Sequence, residues 1–426
     1  MHEPQHTMRW LKKPIYGRCL RAWLVAVTGL VMAQAGMAQP KLTVERALEM
    51  ASDFQPLNRE LAARQDRAQA QSRQAGRWSN PTLDVSQERF EAGGATTTQR
   101  FYTLSQRFDF SGQKGLEADA ARARSASVRY GNDWQWVTHR NRVRLSFYAA
   151  LLEQRRVEAL RKALDRLDEV AAMVSDRQQA GDLSGYDQKR VERERAGLRA
   201  RLDQASAALQ HQRDSLYALL DSQKQQSGER LAGELQPQLP RQLSVYRERL
   251  EQRADLKHLE ARAASAEFAR QASARAWVPD PTLGVGFNQV EQPGADGGGL
   301  LLSVSLPLPV FNQGQAEAAE ASARRSEAEA QRQRQLKEAH ARVRGLWRKT
   351  RALLDATDTF REQALARSRE LTQLAESTYG AGEIGILELL DSYSSHLDAR
   401  LRALMMAHDA RVASIELTHA SGGRGR

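Results

Sequence analysis

The chain has 426 residues, a net charge of +11, 27% charged residues and one cysteine. Its mean hydropathy of −0.62 excludes a bundle of membrane helices but not a transmembrane barrel, whose signal is weak in each strand. Arg and Glu are mixed evenly along the helical stretches, which reads as solvated faces and implies no nucleic-acid partner.

Residues 1–38 read as a secretory signal peptide. Arg9, Lys12, Lys13, Arg18 and Arg21 form the basic region, Trp23 to Met32 the short apolar core, and Gly36-Met37-Ala38 a small-residue cleavage site. A membrane anchor would need a longer apolar run. Cleavage is expected after Ala38, with Ala35 as the next choice. Cys19 leaves with the leader, so the mature chain has no disulfide, thiolate metal site or lipidated terminal cysteine. Its net charge falls to +7.

The remainder reads as two similar halves, 39–221 and 243–420, joined by a Gln-, Gly- and Pro-rich linker at 222–242 and ending in a disordered tail at 421–426. In the first half, Leu42 to Ala51 is a short amphipathic helix opened by Thr43 and closed before Pro56. A second helix, from about Leu57 to Arg77, leads into a β-hairpin at 82–110. Its counterpart in the second half is Val245 to Ala276, leading into a hairpin at 282–308. Leu61 to Arg64 and Leu259 to Arg262 echo each other between these helices.

The hairpins share one grammar. Trp78 precedes Asn80-Pro81-Thr82-Leu83, and Trp277 precedes Asp280-Pro281-Thr282-Leu283. Leu283, Val285 and Phe287 alternate with Gly284, Gly286 and Asn288. Leu300, Leu302, Val304, Leu306 and Leu308 alternate with Ser303, Ser305 and Pro307. In the first copy, Tyr102, Leu104, Phe108 and Phe110 alternate with Thr103, Ser105, Arg107 and Asp109. A period of two with one apolar face predicts half-buried strands. A proline at the entry is tolerated because a strand's first residue needs no ladder donor. Turns are expected at Ala92-Gly93-Gly94 and in the glycine-rich stretch before Leu300. Strands of roughly ten residues cross a bilayer when tilted. Four strands cannot close a barrel alone, and open edges are not tolerated in lipid, so a shared barrel in an oligomer is implied.

After each hairpin the period turns helical. Leu116 to Gln179 is rich in strong helix formers, with Leu160, Leu164, Leu167 and Val174 on a coiled-coil seam. Gln315 to Thr378 repeats this, with Leu346, Leu353, Phe360 and Leu374 on one stripe. Some 64 residues span about 95 Å as a helix. Each helix ends in a matching phrase, Ala180 to Asp187 and Ala381 to Glu388, in which Gly181 and Gly382 suit the left-handed stop position. Return helices follow from Tyr186 to about Asp221 and from Ile386 to about His419. Pro307 and Pro309 are expected to form the swivel between strand and helix.

The Asn/Asp-Pro-Thr-Leu strand starts, the Leu306-Pro307-Leu308-Pro309-Val310-Phe311-Asn312 run and the doubled Ala-Gly-Asp/Glu tips carry a resemblance to the TolC family of outer membrane efflux proteins. It covers nearly all of the mature chain. The Pro-Leu-Pro-Val-Phe-Asn wording and compact length look most like the outer membrane proteins of cobalt-zinc-cadmium efflux systems.

The resemblance implies a mainly α chain with β: long coiled-coil hairpins building a periplasmic α-barrel, and four strands per chain contributing to a shared twelve-stranded outer membrane β-barrel. It implies a homotrimer in the outer membrane of a Gram-negative bacterium, extending into the periplasm. The partners would be outer membrane lipid, a periplasmic adaptor and an inner membrane pump of the resistance-nodulation-division type. It implies no catalysis and no cofactor.

The resemblance also places acidic side chains at the narrowest point of the pore. Glu388 and Asp391 match, spaced i and i+3. As rings in a trimer they would attract cations; alternatively, they favour the start of the return helix. Tyr379 and Asp187, by their offsets from Gly382 and Gly181, are the candidate lock between hairpins. Ile384 stands where the best-known pattern has a basic residue, so packing of Leu183 and Ile384 is expected to replace an ionic lock. Gly181, Leu183, Ser184, Gly382, Ile384 and Gly385 are the expected adaptor contacts.

Other residues read more plainly. The seven mature histidines, His139, His211, His258, His340, His396, His408 and His419, form no ligand-spaced pair, so no metal site is expected. Trp78 and Trp277 mark a membrane boundary or pack where helix meets strand, with packing the favoured reading. The competing functions are the same duct carrying drugs, organic compounds or type I secretion cargo, a periplasmic coiled-coil adaptor or scaffold, and a passive porin. The scaffold has no use for membrane-length strands, and a porin would be mostly strand.

Overall fold

The computed structural model describes residues 41–182, 184–220 and 229–423. The expected leader, Leu183, the linker residues up to 228 and the end of the tail lie outside the described residues. The described residues from Leu42 onward form one compact unit. It is mostly helical with antiparallel strands.

The elements in chain order begin with β1 (Lys41–Leu42), α1 (Val44–Ser52) and α2 (Gln55–Ala75). Thr43 caps α1 by accepting from the Arg46 N–H, and Pro56 sits in the first turn of α2, where its missing N–H costs nothing. Next come β2 (Thr82–Ala92), β3 (Ala95–Arg107), α3 (Gln113–Gln179) and α4 (Gly185–Tyr217). The second part has β4 (Arg230–Leu231), α5 (Leu243–Glu248), α6 (Ala254–Ser273), β5 (Thr282–Gln292), β6 (Ala295–Ser305), α7 (Gln315–Phe360), α8 (Ala366–Gly380) and α9 (Ile386–Ala420). The 67 residues of α3 span about 100 Å at the usual rise.

The long strands form one antiparallel sheet in the order β2-β3-β5-β6. Each hairpin closes through two residues, at Ala92↔Ala95 and Gln292↔Ala295. Gly93 and Gly94 both have positive φ, the hairpin turn whose twist matches the strands. The second turn is Pro293-Gly294, with Gly294 at φ +92°. Gly297, Gly298 and Gly299, expected in that turn, instead lie within β6. β3 and β5 pair from Thr98↔Glu291 to Arg107↔Thr282, joining the hairpins. The ladder ends earlier than the alternation suggests, at Arg107 and Ser305, with Pro307 and Pro309 just beyond.

Three further features differ from expectation. The segment from Val245 to Ala276 is not one helix. A 3-10 turn at Leu250–Gln252 and an extended Arg253 separate α5 from α6. Arg253 is held there by a bidentate pair with Asp255, a bond to the Ala420 carbonyl and the face of Trp134. The descending helix of the second half is interrupted by a π turn at Arg361–Leu365, where the Ala366 N–H reaches back to the Arg361 carbonyl. The break coincides with a tether: Gln236 accepts from Arg361 and donates to Asp358.

The third is the linker. Its described part is a packed strap. Leu231 and Leu235 lie in the same core as Leu42, Leu48, Phe147, Leu151 and Leu216, around the middle of α3. The side chain of buried Gln154 accepts from the Leu231 N–H and donates to the Leu231 carbonyl, both at 2.9 Å. Arg411 donates to the carbonyls of Glu234, Leu235 and Gln236 while lying over the Tyr148 ring. Backbone groups buried in a core must be paired, and these side chains supply the partners.

Gln154→Leu would strand two buried backbone groups, a loss of roughly 2–4 kcal/mol. Urea unfolding of the detergent-solubilised protein, followed by helical circular dichroism, should show a clearly lower midpoint. An unchanged midpoint would mean that the strap contributes nothing to the body.

Candidate functional site: the strand ladder and the hairpin tips

The register places most of the large apolar residues of the four strands on one face, while Phe90, Phe101, Val290 and Leu301 fall on the other. Leu83, Leu104, Val285 and Leu302 form one row across the sheet, and Val85, Tyr102, Phe287 and Leu300 the next. Leu283 and Val304 add a partial row on the helix side. The Tyr102 and Phe287 rings stack at 4.9 Å. Apart from half-buried Tyr102, these side chains are exposed in the single chain, Leu300 to 76%. The opposite face carries Asp84, Ser86, Thr103, Ser105, Asn288 and Ser303. Gly286 is required there, because a Cβ would sit 2.2 Å from the Tyr102 carbonyl oxygen.

Continuing along the apolar face toward the turns, the chemistry changes abruptly. The next row is Gln87, Arg100, Gln289 and Gly298, followed by Arg89, Thr98, Glu291 and Asp296. Arg100 pairs with Glu291 at 2.6 Å and donates to Gln87.

The joint between strand and helix is built from short polar contacts. Asp280 pairs with Arg107 and accepts from the backbone of Phe110 and Ser111. Asp109 accepts from the Lys114 N–H at the start of α3. In the second copy Asn312 accepts from the Gly314 N–H. Gly314, at φ +82°, lies so close to the end of α6 that a Cβ would meet the Ser273 carbonyl oxygen at 2.2 Å. Trp78 and Trp277 are each 61% exposed, which corrects the reading that they pack; Trp78 only meets Phe108 edge-on. They stand at this joint together with exposed Phe110, Leu308 and Phe311.

The other end of the long helices carries the tips. Both use the same backbone device. The Asp182 N–H bonds the Arg177 carbonyl and the Gly181 N–H that of Gln178, with Gly181 at φ +87°. The Glu383 N–H bonds the Thr378 carbonyl and the Gly382 N–H that of Tyr379, with Gly382 at φ +77°. This is the two-bond helix stop that a left-handed glycine permits. Ser184 then caps α4, accepting from the Asp187 N–H and donating to its carboxylate at 2.7 Å. Gly385 occupies the same place before α9 without a side-chain cap, and Glu388 is the acid of the first turn.

Glu388 and Asp391 are both exposed and form no ion pair among the described residues. Gly181, Ser184, Gly382 and Gly385 are exposed at the tips. Ile384 packs against the tip core of Leu167, Val174, Val191, Ile386 and Leu389. The Tyr379–Asp187 bond is not made within one chain. Asp187 is engaged by Ser184, while Tyr379 is 4% exposed and its hydroxyl finds no partner among the described residues. The Arg177 guanidinium lies over the Tyr379 ring instead, at 5.3 Å.

A second connection between the hairpins is absent from the sequence reading. Arg166 of α3 pairs with Glu376 of α8 at 3.2 Å, and Glu376 accepts from the Tyr393 hydroxyl of α9 at 3.0 Å. Burial and the neighbouring Glu376 raise the Tyr393 pKa, so the phenol stays a donor. The three residues lie on three helices, and local spacing gives no sign of their meeting. Burial lowers the pKa of His139, His396, His408 and His419. Among the described residues no group of three His, Cys, Asp or Glu could hold a metal.

The same fold recurs among solved outer membrane proteins. CusC, described for its transmembrane channel formation, superposes with a TM-score of 0.74 at 19% identity, covering 89% of this chain and 92% of its own. The outer membrane protein VceC of Vibrio cholerae gives 0.72 at 20% identity, covering 89% and 96%. The fold is that of the outer membrane channels. The outer membrane channel CmeC of Campylobacter jejuni gives 0.72 at 14% identity, covering 89% and 85%. Residues 245–423 match the sequence profile of the outer membrane efflux protein family. No curated relative matches the chain. In this channel fold the ladder and the tips are opposite ends of one helical body. Among the described residues no helix is long and apolar enough to cross a membrane.

Tyr393→Phe removes one hydrogen bond to a carboxylate and leaves packing in place. Its loss should speed amide hydrogen exchange in α8 and the start of α9 by several-fold, while the strap region is unchanged. Equal exchange in the variant would show that the three-helix contact does not hold the tips.

Proposed function

We propose that this chain is the outer membrane exit duct of a tripartite efflux pump. The observation that carries the reading is the sheet: four strands of membrane length with one mainly apolar face, joined to helical hairpins whose longer arms span about 100 Å. The β2 and β6 edges have no partner strand among the described residues. Unpaired edges are untenable in lipid, and three copies would close a twelve-stranded barrel. The twofold repeat supports a matching ring of helices. A periplasmic scaffold would leave the apolar face in water.

In the trimer, Glu388 and Asp391 form two rings of three carboxylates at the tips. Their exposure and lack of ion pairs among the described residues fit a pore-facing role. Tyr379 and Asp187 form their lock between neighbouring chains, and the exposed tip residues with Leu183 and Ile384 receive a periplasmic adaptor that links the duct to an inner membrane pump. The duct supplies passage rather than catalysis. The preferred cargo is a heavy-metal cation, on the strength of the Leu306-to-Asn312 run. The same duct serving drugs is the second reading, because similarity at 14–20% identity to CusC, VceC and CmeC does not distinguish the cargo.

Growth of a deletion strain across divalent metals and hydrophobic drugs, with plasmid complementation, tests the cargo. Sensitivity confined to metals supports the cation reading; sensitivity to drugs alone overturns it and leaves the duct. In planar bilayers the purified protein should conduct little, because its tips are closed at rest, and a wide ungated current would falsify that closure. Glu388→Ala with Asp391→Ala should lower the cation-to-anion permeability ratio several-fold. An unchanged reversal potential under a salt gradient would count against the carboxylate rings.

A further inference from the structure

We propose that the sheet meets hydrocarbon only over its helix-side portion, and that the lipid core ends between the Val85–Tyr102–Phe287–Leu300 row and the Gln87–Arg100–Gln289 row. The proposal rests on the membrane reading above and adds its depth. The turn-side six residues of β2 and β3 and four of β5 and β6 then stand clear of the acyl chains, with Arg100 and Arg89 at the level of phosphate-bearing headgroups.

Three observations support this boundary. Beyond Gln106 at its helix-side edge, the outward face is apolar through the Leu104–Val285 and Tyr102–Phe287 rows, then carries Arg100 and Gln289 only two residues later, about 6.6 Å along the strand. Arg100 is committed to Glu291 and Gln87 on that same face, and charge on a barrel's lipid face is tolerated only near the interface. Arg89, one row further, has no ion pair or hydrogen bond among the described residues and is free for an anionic headgroup.

The length agrees with the charge pattern. From Leu300 to Leu308 there are eight steps, at most about 26 Å of chain with the paired strand itself ending at Ser305, and a strand tilt near 40° reduces that to at most about 20 Å of depth. The outer membrane is thinner than the average bilayer. The helix-side boundary falls where aromatic side chains gather, at Trp78, Trp277 and Phe311, the last 98% exposed. Aromatic residues favour the membrane–water interface.

The single native cysteine, Cys19, allows a clean test after its replacement by serine. Val85→Cys, Leu302→Cys, Gln289→Cys and Arg89→Cys are each labelled with a bimane fluorophore. The full-length proteins are reconstituted in phosphatidylcholine vesicles with or without brominated acyl chains. The label at 85 and 302 should lose most of its fluorescence in brominated lipid, and the label at 289 and 89 should lose little. Two positions on each side keep the test decisive if one variant fails to fold. Quenching at 289 and 89 as strong as at 302 overturns the boundary and leaves the membrane reading standing. No quenching at any position, with sheet content intact by infrared spectroscopy, overturns both.

Discussion

The pairing of β3 with β5 is the contact on which the rest depends. A two-stranded hairpin is marginal in water, and each hairpin here has a face too apolar to be left alone. The ladder from Thr98↔Glu291 to Arg107↔Thr282 makes them one sheet with a continuous apolar side. It also brings the two strand–helix joints together, so that Asp280 of the second copy organises the Phe110–Ser111 turn of the first. The two long helices leave the sheet on either side of α6, which packs against both.

The helical body repeats this logic with side chains instead of a ladder. The stripe on α3 is too narrow to bury a large core by itself. The structure gathers its largest core at mid-length, where α1, the end of α4, the strap and the last turns of α9 cover Phe147 and Leu151. Gln154 and Arg411 make the strap possible by pairing backbone groups that burial would otherwise strand. Near the tips, a separate small core carries Leu167, Val174 and Leu389, with Arg177 on Tyr379 and Arg166 on Glu376 as its polar ties. These ties are few and partly exposed, so each adds little to the stability of this end.

The electrostatics follow the same division. At the tips, Glu388 and Asp391 have no ion pair among the described residues. Arginines are paired or free at the row where the apolar band stops. Between these ends, ion pairs such as Arg270–Glu267 and Arg325–Glu267 lie along the helices and chiefly keep their faces solvated.

Sequence alone determined the elements whose cause is local. Period-two alternation after Pro81 and Pro281, the helical runs that follow, and Gly181 and Gly382 at the helix stops all depend on neighbours within a few residues. Their side-chain spacing and backbone freedom are written directly in the chain. The tertiary structure decided what depends on distant partners. It placed Gly297 to Gly299 inside a strand because β5 sets the register from the opposite side. It made the linker a strap because Gln154 lies 77 residues away in sequence, and it left Trp78 and Trp277 exposed at the joint. The Arg166–Glu376–Tyr393 contact belongs to the same class. Its residues are ordinary members of three helices, and only the packing angle between those helices brings their charges together.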